Sequence, residues 1–227
     1  MGSFWMLCGL TILFVGLSGA SEHGFDQYEE SVVSVKEVNE SLMRGSGFVY
    51  GSEQYIITNN HVVVSEYGSE EDLEVRFNNS GEWVEVKTIG RDPESDLAVL
   101  EPDYVPETVE SLQISNSTIE IGQKLTIMGN TPASSSVVVV SGTVVDLNQN
   151  ITTRENVDLN NSAVVSAPID LGFSGGPTID YRGNVFGVIT ARDTNQQVGF
   201  IIPASKLTKL LPELTNQSIT KPLKPEK

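Results

Sequence analysis

The run GFSGGP at residues 172–177 places one hydroxyl group, that of Ser174, among three glycines. Glycine adopts backbone conformations that are closed to other residues, so such a run can present its N–H groups to a bound oxyanion. This surrounding is typical of a catalytic serine. The alternative is a glycine turn between two strands, in which Ser174 has no chemical role.

A nucleophilic serine requires a general base, because its hydroxyl group is a weak nucleophile. The chain contains two histidines, His23 and His61. His23 lies in a segment without an apolar pattern, which makes it a poor candidate for a buried base. His61 comes shortly after the apolar run 55–58, where the chain would leave a strand, so we predict that His61 is the base. The alternative is a histidine with a purely structural role in a core or loop.

The base needs in turn a buried carboxylate, which holds its tautomer and stabilises the imidazolium ion. Asp96 directly precedes the apolar run 97–100, which could fix and shield it. Asp92 precedes a proline, which favours a turn and makes Asp92 the second choice. The order His61, Asp96, Ser174 is that of the chymotrypsin triad, and we predict that these three residues are catalytic.

Short apolar runs separated by Gly, Asn, Asp and Pro dominate the chain and predict β-strands rather than alternating strands and helices. They fall into two groups on either side of a polar segment that contains Pro102 and Pro106. The first group of predicted strands comprises residues 31–35, 47–50, 55–58, 73–77, 83–89 and 96–100. The second group comprises residues 124–128, 136–140, 142–147, 163–167, 177–180, 185–190 and 198–202.

This arrangement predicts an all-β fold of two six-stranded antiparallel β-barrels, with the active site in the cleft between them. The first barrel is expected at about residues 30–101 and the second at about 119–203, joined by a linker at about 102–118. A short C-terminal helix is predicted for residues 203–211, because a proline suits its first turn and leucines follow at helical spacing. We expect the polar residues 212–227 to form a disordered tail.

Residues 1–20 differ from the rest of the chain, because an apolar run there ends in small residues of the kind that signal peptidase accepts. We predict a secretory signal peptide, followed by a lead-in at residues 21–29, and therefore a secreted or cell-envelope protein. The alternative is an uncleaved membrane anchor, although the apolar run is short for a bilayer span.

The composition excludes several kinds of site and partner. The only cysteine, Cys8, lies in the N-terminal apolar run, so the mature chain has no intramolecular disulfide bond and no thiolate metal site. The formal net charge of −16 argues against a nucleic-acid partner. Asn-x-Ser/Thr sequences could carry glycans or could be coincidental in a chain rich in these residues. They begin at Asn39, Asn78, Asn116, Asn150, Asn160 and Asn216.

Several blocks, taken together and in this order, resemble the protease domain of the HtrA-type (Deg-like) trypsin-like serine proteases. They are GSGFV at 45–49, ITNNHVV at 57–63, DLAVL at 96–100, GN at 129–130, GFSGGP at 172–177 and GFIIP at 199–203. The resemblance covers about residues 30–211. It implies a double β-barrel endopeptidase that acts outside the cytoplasm on unfolded or extended proteins, in protein quality control. It also implies an enzyme without a metal or cofactor, and one that often forms a homotrimer.

By position, the resemblance implies a role for each site residue. His61 is similar to the family's general base, Asp96 to its orienting acid and Ser174 to its nucleophile. The backbone N–H groups of Gly172 and Ser174 match the oxyanion hole. The strand that would pair with an extended substrate by β-augmentation corresponds to Val188, Ile189, Thr190 and Ala191.

The chain departs from the family in two respects. Phe173 stands directly before the nucleophile, where the family usually has a small polar residue, commonly Asn. Because this position flanks the oxyanion-hole peptides, a catalytically impaired pseudoprotease that binds extended peptides is the alternative function. We also expect a protease domain alone, without the C-terminal PDZ domain that the family typically carries. A purely structural β domain would require the order of His61, Asp96 and Ser174 to be accidental.

Overall fold

The described part of the chain, in a computed structural model, comprises residues 24–65, 71–78, 81–134, 136–153 and 156–220, with residues 217–220 described for the backbone only. The predicted signal peptide, His23 and residues 221–227 of the predicted tail lie outside the described residues. A short helix, α1 (Asp26–Glu29), lies within the predicted lead-in.

The first half of the chain forms a closed antiparallel β-barrel. Its strands are β1 (Val32–Glu37), β2 (Gly45–Tyr50), β3 (Tyr55–Thr58), β4 (Leu73–Phe77), β5 (Val84–Asp92) and β6 (Leu97–Pro102). They pair in the order β1-β2-β3-β6-β5-β4, which confirms the first predicted barrel. The alternation of side chains explains why these segments form strands: in β4, for example, Leu73, Val75 and Phe77 are buried, and the residues between them are half-buried.

The second half forms a sheet that also closes on itself. Its strands are β7 (Gln113–Ile114), β8 (Lys124–Gly129), β9 (Val138–Thr152), β10 (Asp158–Ser166), β11 (Pro177–Ile179), β12 (Asn184–Asp193) and β13 (Val198–Pro203). The order is β11-β8-β9-β10-β13-β12-β7, and pairing of β11 with β12 closes the antiparallel ring. The short strand β7 comes from the predicted linker and joins β12 in parallel outside that ring.

Strand β9 corrects one prediction, because it is continuous where the sequence indicated two strands. The predicted break lay before Gly142, but Gly142 sits inside β9 and pairs with Leu125 of β8. A Cβ atom at Gly142 would lie 2.5 Å from a methyl group of Val165 and 2.9 Å from Ile127. This glycine therefore permits close packing inside the barrel and does not end a strand.

The C-terminal helix, α3 (Ala204–Thr220), is longer than predicted, and residues 212–220 are helical rather than a disordered tail. Pro212 lies inside the helix, where it removes one backbone hydrogen bond. The apolar face nevertheless continues past it, because Leu214 is buried next to Gly90 of β5. The buried face therefore outweighs the lost hydrogen bond. Among the helices in the described ranges, none is long and apolar enough to cross a membrane.

One apolar cluster joins the two barrels and the helix, and this cluster holds the walls of the cleft in place. It contains Ile57 and Leu97 from the first barrel, Val188 and Ile202 from the second, and Leu207 from α3. Each barrel also has a core cluster made mainly of its own residues. Because the shared cluster excludes water between the barrels, their relative position is determined by packing as well as by the linker.

Candidate active site

A cleft of about 210 Å³ lies between the two barrels, and the predicted base and nucleophile both line it. His61 comes from the first barrel and Ser174 from the second. The structure thus brings together residues that are far apart in the sequence, at the place where the two-barrel prediction put the site.

His61 is positioned by the short helix α2 (Asn60–Val63), which directly follows β3. Val62 and Val63 are fully buried in the first barrel, and they anchor the turn from which His61 faces the cleft with 15% of its side chain exposed. The His61 backbone N–H donates to Asp96 Oδ1 at 2.9 Å, and Nδ1 lies 2.8 Å from Asp96 Oδ2. A carboxylate accepts hydrogen bonds, so Nδ1 carries the proton in neutral His61 and Nε2 carries the lone pair.

Asp96 is fully buried and has a left-handed backbone conformation, with φ of 53°. It ends a 3₁₀ turn, Pro93–Ser95, and its N–H donates to Pro93 O at 3.3 Å while its carbonyl accepts from Asn59 Nδ2 at 2.9 Å. The turn aims the carboxylate at His61. Asp92, the second-choice acid, begins the same turn and accepts from Glu94 N–H at 3.2 Å, which is the turn role predicted for it.

Thr190, on β12 of the second barrel, donates its hydroxyl hydrogen to Asp96 Oδ2. With the His61 backbone N–H and ring, the carboxylate thus accepts hydrogen bonds from both barrels. These hydrogen bonds fix the orientation of the buried carboxylate. Thr190 was predicted only as part of the substrate strand, and nothing in the sequence indicated its contact with Asp96.

Lys206 of α3 is a cation near the turn that carries Asp96. Burial lowers the pKa of Lys206 from its ordinary value, while the negative charges of Asp92, Asp96 and Glu94 oppose that shift. Because burial is the largest cause, the nearby carboxylates only partly offset the cost of desolvating the ammonium group.

The loop that carries Ser174 depends on glycines at two positions with left-handed backbones, Gly172 at φ of 95° and Gly175 at φ of 87°. A Cβ atom at Gly175 would lie 2.0 Å from Ser46 O, so only glycine fits there. Gly172 and Ser174 both line the cleft. The Ser174 hydroxyl donates a long hydrogen bond of 3.5 Å to Thr190 O, on the neighbouring strand β12.

Ser46, at the start of β2, holds this loop from the first barrel. Its hydroxyl donates to Gly172 O at 2.7 Å and accepts from Asn130 N–H at 2.8 Å. Its backbone N–H donates to Ser174 O at 2.7 Å. Ser46, a residue of the first barrel, therefore holds the backbone on both sides of Phe173. It also connects that backbone to Asn130, in the loop that follows β8.

Phe173 points into the core of the second barrel, and it is not among the residues that line the cleft. Its side chain is 1% exposed, and its ring packs against Gly129, where a Cβ atom would lie 2.9 Å from it. The unusual residue beside Ser174 is therefore explained by core packing, and its side chain stays out of the cleft. Phe173 thus no longer supports the pseudoprotease alternative.

The predicted substrate strand is displaced by one residue from the segment that the structure presents to the cleft. Ile189, Thr190 and Ala191 line the cleft, but Val188 is fully buried in the core that the barrels share. Arg192, which the prediction omitted, lines the cleft instead. Sequence reasoning also missed Arg44 and Thr153 as lining residues, because neither belongs to a motif.

Two isoleucines, Ile169 and Ile189, line part of the cleft, and we call this part the apolar end. Both side chains approach Gly199, because a Cβ atom there would come within 2.8 Å of Ile169 Cγ1 and 3.4 Å of Ile189 Cδ1. The two isoleucines therefore occupy the space next to Gly199.

Residues 45–188 match the family model described as a trypsin-like peptidase domain. Over 196 residues the chain is 34% identical to Protease Do-like 8, chloroplastic, of Arabidopsis thaliana, covering 81% of this chain and 42% of that protein. It is 30% identical over 183 residues to a serine protease HtrA-like of Staphylococcus aureus, covering 75% of this chain and 23% of the relative. The chain thus spans less than half the length of these relatives.

Solved structures show the same architecture. The serine endoprotease from Yersinia pestis has a TM-score of 0.67 at 27% identity, over 85% of this chain and 65% of that one. The crystal structure of Deg5 has a TM-score of 0.70 at 27% identity, over 85% of this chain and 92% of that one. Both similarities extend over the two barrels that frame the cleft.

Proposed function

Because the chain belongs to the trypsin-like peptidase family and its relatives include HtrA-type proteases, we propose that it is a serine endopeptidase with His61, Asp96 and Ser174 as its catalytic triad. The observation that carries this proposal is the contact of 2.8 Å between His61 Nδ1 and the buried Asp96 carboxylate, in a cleft that Ser174 also lines.

The reaction follows from the protonation of His61. With its proton on Nδ1, the imidazole accepts the Ser174 proton at Nε2 as Oγ attacks the peptide carbonyl carbon. Asp96 stabilises the resulting imidazolium, and the N–H groups of Gly172 and Ser174 hold the oxyanion of the tetrahedral intermediate. Nε2 then gives its proton to the leaving amine, and water hydrolyses the acyl-enzyme with His61 as base.

The substrate we propose is an extended or unfolded polypeptide. Residues 191–193 pair with β13 along one edge, and residues 189–192 line the cleft, so an extended chain could add as a strand beside them. The apolar end, formed by Ile169 and Ile189, suits a small aliphatic side chain at P1, the residue before the cleaved bond.

We further propose that the protein acts outside the cytoplasm in protein quality control and forms a homotrimer. The support for these proposals is the apolar run in residues 1–20 and the resemblance to HtrA-type proteases. They are separate from the proposed chemistry, and sedimentation analysis of the mature protein tests the trimer directly.

The experiment that tests the proposed function compares an unfolded protein, such as casein, with a compact folded protein as substrates. We expect the wild type to fragment casein and to leave the folded protein intact, and we expect Ser174→Ala to lower the casein rate by at least about 10³-fold. A folded wild type that leaves casein uncut would contradict the proposal, as would a Ser174→Ala variant of undiminished activity.

A further inference from the structure

Arg192 spans the apolar end of the cleft. Its guanidinium Nη1 donates to Ile169 O and to Asp170 Oδ1, each at 3.2 Å. Arg192 belongs to β12, on one wall of the cleft, and its two acceptors belong to the loop that forms the other wall. Its side chain is 21% exposed, whereas that of Asp170 is 70% exposed, so the guanidinium is held against the protein.

We refer to the Arg192 side chain, with its bonds to Ile169 and Asp170, as the arginine strap. In the strand register, Arg192 lies directly opposite Gly199, the residue that both isoleucines approach. The strap therefore lies next to the two isoleucines and joins β12 to the loop that carries Ile169 and Asp170. An arginine forms such a bridge well, because its planar group offers several donors in a fixed geometry.

We propose that the arginine strap determines the size of the side chain accepted at P1, a proposal that rests on the proposed endopeptidase function. A valine fits beside the isoleucines with the strap in place. A phenylalanine needs the space that the strap crosses, so binding it would break a charge-assisted hydrogen bond and a second bond to a carbonyl. Arg192 is thus a specificity-determining residue.

The guanidinium could instead attract an acidic P1 side chain, and the structure argues against this role. Asp170 already pairs with Arg192, so an incoming carboxylate would meet the negative charge of Asp170 at close range. A preference for glutamate at P1 is therefore an outcome that would overturn the size proposal.

The test uses peptides that differ only at P1, with valine, phenylalanine or glutamate, and measures kcat/KM for each. We expect Arg192→Ala to raise the ratio of the phenylalanine to the valine peptide by about tenfold or more. Arg192→Lys keeps the charge but lacks the planar guanidinium group, so it should raise the ratio less. Arg182→Ala is the matched control, because Arg182 stacks on the exposed Tyr181 outside the cleft and should leave the ratio unchanged.

Asp170→Asn provides a second route if Arg192→Ala does not fold, because Asp170 is exposed and asparagine keeps its shape. It should raise the same ratio by a smaller factor. The proposal is overturned if the ratio stays at the wild-type value in folded variants, or if the wild type prefers the glutamate peptide.

Labelling the wild type with a fluorophosphonate distinguishes a failure of the strap proposal from a failure of the proposed endopeptidase function. This probe has no P1 residue and reacts with an activated serine. A labelled wild type with an unchanged ratio in the variants contradicts only the strap. A folded wild type that is not labelled contradicts the proposed function, and the strap proposal with it.

Discussion

Thr190 of the second barrel donates a hydrogen bond to Asp96 of the first, across 94 positions of sequence. The buried acid is therefore oriented by both barrels, and its geometry depends on how they pack. The shared apolar cluster fixes that packing, which makes the arrangement of the site a property of the whole fold.

Replacing Thr190 with valine tests this relationship. The shape of the side chain is kept and its hydroxyl group is lost, so Asp96 loses a hydrogen bond that fixes its orientation towards His61. Hydrogen bonds to charged groups contribute about 1.5–3 kcal/mol, so we expect kcat/KM to fall by about tenfold to a hundredfold. Thr190→Ser keeps the donor and should retain most of the activity. Equal losses in both variants would show that packing, and not the hydroxyl group, matters.

Replacing Ser46 with alanine should weaken the loop that carries Ser174. The Gly172 carbonyl loses its donor, and the buried Asn130 N–H loses its acceptor. We expect kcat to fall by about tenfold to a hundredfold through misplacement of the loop. The free energy of unfolding, measured with urea, should fall by about 1–3 kcal/mol. Ser111→Ala, which removes a similar bond to Gly51 O away from the cleft, should leave kcat unchanged.

Substitution of Phe173 should lower the stability of the fold more than the rate of the reaction, because its ring lies in the core against Gly129. We expect Phe173→Ala to lower the free energy of unfolding by about 3–5 kcal/mol. Phe173→Leu should cost less, and the folded protein should still be labelled by a fluorophosphonate. A folded but unlabelled leucine variant would mean that the aromatic ring maintains the oxyanion hole.

Docking of α3 can be tested at Gly90, where a Cβ atom would lie 2.0 Å from Leu214 O. Gly90→Ala must displace the helix, so we expect a loss of about 1–3 kcal/mol in the free energy of unfolding. Gly24→Ala is the control, because the space around Gly24 is open. Equal stability of the two variants would contradict the packing of Leu214 on β5.

The proposed catalytic residues were predictable because few residue types can perform such chemistry. One serine among glycines, one suitable histidine and one aspartate before an apolar run were enough to predict three residues that the structure places in or directly behind the cleft. The alternation of apolar residues predicted the strands and the first closed barrel for the same kind of reason, since a period of two suits only a pleated strand.

The supporting residues were not predictable, because their roles exist only after the barrels meet. Ser46 reaches Gly172 across 126 positions, and serine and threonine are too common to indicate such a contact. Arg192 carries no motif. The break predicted in β9 and the early end predicted for α3 were wrong because Gly142 and Pro212 were interpreted from local propensity. Tertiary packing of Val165 and Leu214 decided both positions.

The measurement that tests the central claim most directly is the site and rate of fluorophosphonate labelling, determined by peptide mapping of the folded protein. We expect one adduct, on Ser174, that is absent from Ser174→Ala and forms at least about 10³-fold more slowly in His61→Ala. An adduct on another residue, a folded wild type that stays unlabelled, or undiminished labelling without His61 would contradict the claim that His61 activates Ser174.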